Sequence, residues 1–213
     1  MKTKKRQKAE QRQRALQARL AHRDFTSPSQ PLLGPQPIRY ELADRTRVMS
    51  MGGLGLIHQL VMKLQLPALL NAAVPLLHRH LPYWESDHIL ALCYSALTGG
   101  KPLQDLQRLR QDEVCLDALG VPRLPAPSTA GDFLRRFTGP RAILRLQEAI
   151  NQARLKVWQR QPAVFRQQAT LAMDGTLMAT AAECMEGIDY CAYKQLWGYG
   201  PLLITLAESR EVV

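Results

Sequence analysis

No stretch of 18 consecutive apolar residues occurs in this 213-residue chain, so no segment is expected to cross a bilayer. Cysteine and aromatics are scarce: four Cys, with Phe, Trp and Tyr together at 6%. Four Cys with no CxxC pair exclude a disulfide scaffold and offer no zinc spacing, and His78 and His80 have no thiol or acid pair beside them to supply one. Neither GxGxxG nor a Walker-type loop is found, so nucleotide cofactors are not indicated. The opening residues, MKTKKRQKAEQRQRALQARLAHRD, carry charge but lack the apolar centre of a secretory signal. Glycine and proline, 13 and 14 residues, are ordinary, which excludes collagen-like and low-complexity chains. The expectation is a cytoplasmic protein with no membrane partner.

Positive charge is abundant, and it is unevenly placed. Lys and Arg number 28 against 18 Asp and Glu, for a net +10. Nine of the basic residues and only one acid, Glu10, fall at or before Arg23, which leaves about +2 for everything after it. Such a stretch neutralises phosphates and releases counterions, giving salt-dependent binding without sequence preference; Lys4, Lys5, Arg6, Arg12 and Arg14 are its candidate DNA contacts. The same composition also reads as a solvated tail. Residues Phe25 to Pro37, with four Pro and one Gly, read as a linker, so 1–37 is expected to be a flexible basic arm and linker.

From 38 to 165 the texture is helical. A helix is expected over Met51 to Leu66, with Leu56, Leu60 and Leu64 and with Ile57 and Val61 at near-helical spacing, although Gly52, Gly53 and Gly55 weaken its start. Another is expected over Glu85 to Leu97, with Ser86 as cap, an apolar stripe of Ile89, Leu92, Cys93, Ala96 and Leu97, and Gly99-Gly100 as stop. Short helices are expected over Pro102 to Arg110 and Asp112 to Leu119. The run PAPSTAGDFLRRF predicts a helix capped by Ser128 or Thr129 and reaching Phe137, and Pro140 suits the first turn of a longer one. Arg135 and Arg136 would enter a DNA groove if the short helix belongs to a helix-turn-helix, and are plain surface charges if the region is a simple bundle.

Beyond Pro162 strands are expected: Gln168 to Asp174, then Trp197 to Leu206, then a polar turn and a third strand starting at Glu211. Trp197, Tyr199 and Tyr193 either stack on bases or fill a core. Asp174, at the end of the first strand and before Gly175-Thr176, would project a carboxylate from a rigid, buried strand, as a hard divalent cation requires; it would equally serve to turn the chain.

The motif MDGT (Met173 to Thr176), the string YKQLWGYGPLLITLAESREVV from Tyr193 to the end, PSTAGDFLRRF upstream, and His88-Ile89 with GGKPLQDL (Gly99 to Leu106) resemble the DDE transposases of bacterial insertion sequences, the group with a group-1 type DDE domain. The resemblance spans roughly Tyr40 to Val213. It implies an α+β protein: a mainly helical DNA-binding region over 38–165, then an RNase H-like catalytic domain from 166. It also implies that Asp174 is the first of three carboxylates holding two Mg²⁺ or Mn²⁺ ions for phosphodiester cleavage and strand transfer. The second Asp and the Glu have no matching position here. The expectation is therefore the N-terminal part of a transposase, with a truncated catalytic domain that holds no metal tightly and does not cut DNA alone. Its implied partners are the element's terminal repeats as double-stranded DNA, a second copy or a full-length transposase, in the nucleoid.

Overall fold

The computed structural model describes residues 14, 29–34, 51–180 and 186–213. The chain is α+β and divides into two compact units, the first ending at Ile150 and the second running from Asn151 to Val213.

The first unit is helical. Helix α1 (Gly53–Lys63) is followed by Gln65 in the left-handed region and by α2 (Leu66–Ala73), with Pro67 in its first turn. The single helix expected over 51–66 is thus broken at Gln65. Its buried face is also not the expected one: Leu54 and His58 point inward, whereas Leu56 is 64% exposed and Leu60 half exposed. Of the expected residues Val61 does pack against the core, completing with Leu54 and His58 a helical i, i+4, i+7 face.

Helix α3 (Glu85–Leu97) has the expected bounds, and again a different inner face. Leu90, Ala91 and Tyr94 are buried, while Cys93, Ala96 and Leu97 are exposed. Its start carries four consecutive buried polar residues, Glu85, Ser86, Asp87 and His88, which composition would place outside. The two acids are tolerated because they hold other segments. Glu85 accepts from the backbone N–H groups of Leu76 (3.0 Å) and Leu77 (2.9 Å) and meets His80 at 3.1 Å. Asp87 accepts from Trp84 N (2.9 Å), Leu32 N (3.1 Å) and Leu33 N (2.8 Å). Ser86 N donates to Asn71 Oδ1 at 2.8 Å, and the capping role expected of Ser86 falls to Asp87, whose carboxylate accepts from Trp84 N at the helix start. Leu33, within the expected linker, is accordingly buried.

After a 3₁₀ turn (Leu103–Asp105) come α4 (Leu106–Gln111) and α5 (Glu113–Leu119). Asp112 caps α5 through Val114 N and Cys115 N, and Gly120, at φ +65°, ends it where a side chain would be strained. Helix α6 (Pro127–Leu134) begins with Pro127 in its first turn and Ala126 before it. The cap expected at Ser128 or Thr129 therefore lies inside the helix, and Asp132 pairs with Arg135 instead of closing a capping box. Leu33, Leu54, Leu70, Leu90, Tyr94, Leu106, Leu109, Leu119 and Leu124 meet in one core, each such leucine worth about 1.5–3 kcal/mol of burial. Helix α7 (Pro140–Trp158) starts at the expected proline and crosses the unit boundary.

The second unit holds two small antiparallel sheets. Strands β1 (Leu171–Gly175), β2 (Met178–Ala179), β3 (Asp189–Cys191), β4 (Leu196–Tyr199), β5 (Leu202–Leu206) and β6 (Glu211–Val212) order as β1-β5-β6 and β2-β4-β3. The expected strand Trp197–Leu206 is two strands in different sheets. Gly200-Pro201 separates them, since proline cannot donate to a ladder. Gly198 admits close pairing: a Cβ there would lie 2.6 Å from the carbonyl oxygen of Met178. Strand β1, expected to be buried, is exposed along its whole length. On the end of α7, Arg154 pairs with Glu211 (3.4 Å) and bonds the carbonyl of Val212, and Trp158 Nε1 donates to Glu211 at 3.1 Å. These bonds tie β6 to the helix that precedes the sheets.

Candidate nucleic-acid interface

The candidate residues do not gather in one place. Lys4, Lys5, Arg6 and Arg12 lie outside the described residues; Arg14 is helical and exposed. Arg135 and Arg136 sit just past α6, on the turn to α7 and not on a helix face. Asp174 is the fourth residue of β1, opposite Leu203 on β5, and exposed. It has no hydrogen-bond or ion-pair partner among the described residues. Tyr193 stands on the turn between β3 and β4 with 94% of its surface exposed, and Tyr190 packs against Trp197 across the strands at 5.4 Å. The core role open to Tyr193 from sequence is therefore not the one it has.

A cleft in the helical unit gathers charge that the sequence did not mark. Its volume is about 380 Å³. On one side lie Arg136, Thr138, Gly139 and the first turns of α7, with Arg141 and Arg145; on the other lies the ridge Ala73–Leu76. Arg141 and Arg145 are four residues apart and therefore share a helix face. Among the described residues no acidic side chain lines the cleft. Three arginines outside the cleft are paired, Arg108 with Asp105, Arg135 with Asp132 and Arg154 with Glu211. Of the pair expected from sequence, Arg135 is thus engaged and Arg136 faces the cleft. The i, i+4 spacing of Arg141 and Arg145, directly after Gly139-Pro140, was the signal available for the other two.

Both sides of the cleft hang on the start of α3. Glu85 holds Leu76 and Leu77. His88 stacks on Phe133 at 4.5 Å and 8°, and Phe133 meets Phe137 edge-on, so the turn carrying Arg136 follows an aromatic stack. Burial holds the His88 imidazole down at a pKa of about 4; Glu85 opposes that shift and Arg136 adds to it. The ring is therefore neutral near pH 7, and it adds no charge to the cleft. Burial also raises the Asp87 carboxyl, against the three backbone N–H groups that favour its ionised form.

Compared with family models, curated proteins and solved structures, the chain matches none. Among the described residues no single helix is long and apolar enough to cross a membrane.

Proposed function

We propose that the chain is a DNA-transposition polypeptide of the DDE type that binds double-stranded DNA, at the terminal repeats of its element, through its helical unit. The observation that carries this reading is the placement of Asp174. It falls one residue short of the end of β1, and β1 is followed in its own sheet by two antiparallel strands, β5 and β6. This fits the first strands of an RNase H-like domain whose first carboxylate sits at a strand tip. Protein partners that suit the reading are a second copy or a full-length transposase.

The metal chemistry of such a domain does not fit the donor set described here. Mg²⁺ or Mn²⁺ needs several fixed oxygen ligands at once. Asp174 is an exposed single carboxylate, and among the described residues no group of three His, Cys, Asp or Glu side chains converges. No cleavage step is derived from these residues. A second reading, a DNA-binding polypeptide that does not cut and that inhibits a full-length transposase, is favoured by the arginine-lined cleft, because phosphate binding requires no metal.

Selection from a randomised duplex pool, followed by fluorescence anisotropy, tests both readings. Expected are a selected sequence preference, affinity that falls steeply with salt, and unchanged affinity in Asp174→Ala. Failure to bind any duplex at low salt overturns both. Mg²⁺-dependent nicking that disappears in Asp174→Ala overturns the non-cutting reading and sustains the transposase one.

A further inference from the structure

We propose that the cleft between the ridge Ala73–Leu76 and the start of α7 is the seat of one backbone phosphate of bound DNA, held by Arg136, Arg141 and Arg145. The inference rests on the DNA-binding reading and names the contact that carries part of its affinity.

The charge argument comes first. Among the described residues three guanidinium groups and no acid line one open cleft, and none of the three has a carboxylate partner there. Two of them, at i and i+4, repel each other by a few tenths of a kcal/mol in the free protein. An anion placed between them removes that cost. Guanidinium is the side chain best suited to this, since its planar fork matches the oxygens of a phosphate.

Shape then narrows the anion. The wall facing the arginines is apolar, Ala73, Val74, Pro75 and Leu76, with Ala142 at the helix side. A free inorganic phosphate has no use for such a wall. A phosphodiester does, because its deoxyribose is apolar on its carbon face and lies beside the charged oxygens. At about 380 Å³ and open to solvent, the cleft has room for one phosphate with its sugar.

Rigidity is the third part. The apolar wall is fixed by Glu85 and the arginine turn follows the stack of His88 on Phe133, three residues apart on one helix. A seat whose two sides share one anchor loses little freedom when it is filled. Contacts of this kind position a protein on DNA and carry no sequence information. The arginines should therefore set affinity and salt dependence, and leave sequence preference alone.

The test compares full-length wild type with R136A/R141A/R145A on the selected duplex and on a random duplex, across a salt series. The substituted side chains are all exposed, and a thermal melt of each protein confirms an unchanged fold. Expected is a fall in the slope of log K against log salt by about 1, from roughly 0.9 per phosphate contact, with affinity lost equally on both duplexes. The triple lysine variant R136K/R141K/R145K should recover most of the slope. Titration with inorganic phosphate, followed by amide NMR, should leave residues 136–145 unmoved at millimolar concentration. An unchanged slope in the triple alanine variant, with the loss appearing instead in K4A/K5A/R6A, overturns the cleft proposal and leaves DNA binding intact. Loss confined to the selected duplex assigns the arginines to base reading and overturns it too, as does tight inorganic phosphate binding that DNA does not displace. No duplex binding by the wild type removes this proposal together with the reading beneath it.

Discussion

The two units of this chain solve burial in opposite ways. The helical unit puts charged groups inside: Glu85 and Asp87 are each 1% exposed and are used as acceptors for backbone N–H groups from three other segments. The strand unit leaves apolar groups outside, with Leu171, Met173, Leu202 and Tyr193 all exposed and Leu206 the one buried apolar side chain of its strands among the described residues. Small two- and three-stranded sheets with uncovered faces contribute little on their own. The difference teaches where stability resides. It lies in the helical core and its buried acceptors, and the sheets depend on bonds such as Trp158 to Glu211.

Truncations on the two sides give the widest separation. Leu90→Ala, in the helical core, is expected to cost about 3–4 kcal/mol in urea unfolding, whereas Leu171→Ala should cost below about 0.5 kcal/mol. Equal costs would break the comparison. Next in size is Asp87→Ala, which orphans the N–H groups of Leu32, Leu33 and Trp84; a loss of about 3 kcal/mol is expected. A loss under about 1 kcal/mol would mean that water replaces the carboxylate and that the buried acceptor is incidental.

The acid side of the stability curve sharpens the same contrast. His88 has a folded pKa of about 4 against an ordinary 6.5, so between those values the unfolded chain binds more protons and stability rises with pH. Its contribution is complete above about 6.5 and is lost as pH falls toward 4, by about 2–3 kcal/mol. Asp87, with its pKa raised, acts in the opposite sense just above the ordinary carboxylate range. His88→Phe keeps the stack on Phe133, and the wild-type stability minus that of the variant should shrink across pH 6.5 to 4. A difference that stays constant with pH would contradict the assignment.

Element bounds were more legible in the sequence than faces were. The limits of α3, the start of α7 at Pro140, the cap of α5 by Asp112 and the turn before β6 all follow from local chemistry: a proline, an Asx cap, a glycine with positive φ. The inner faces of α1 and α3 do not, because the pattern of apolar residues alone cannot reveal that His58, Glu85 and Asp87 find partners far along the chain. Leu33 illustrates the same limit, since only the fold supplies the carboxylate that draws a proline-rich segment inward. Asp174 was legible as a strand-tip acid, but its exposure depends on the absence of any layer over β1 among the described residues. Arg136 was a candidate from the sequence while Arg141 and Arg145 were not, because the cleft that all three line is closed by a ridge some sixty residues earlier in the chain.

Hydrogen–deuterium exchange of the full chain with and without saturating duplex tests most directly whether the helical unit carries the DNA. The account predicts slowed exchange over residues 136–145 and the ridge 73–77, with the peptide holding Asp174 unchanged. Protection confined to residues 171–206, with none in the helical unit, would contradict it.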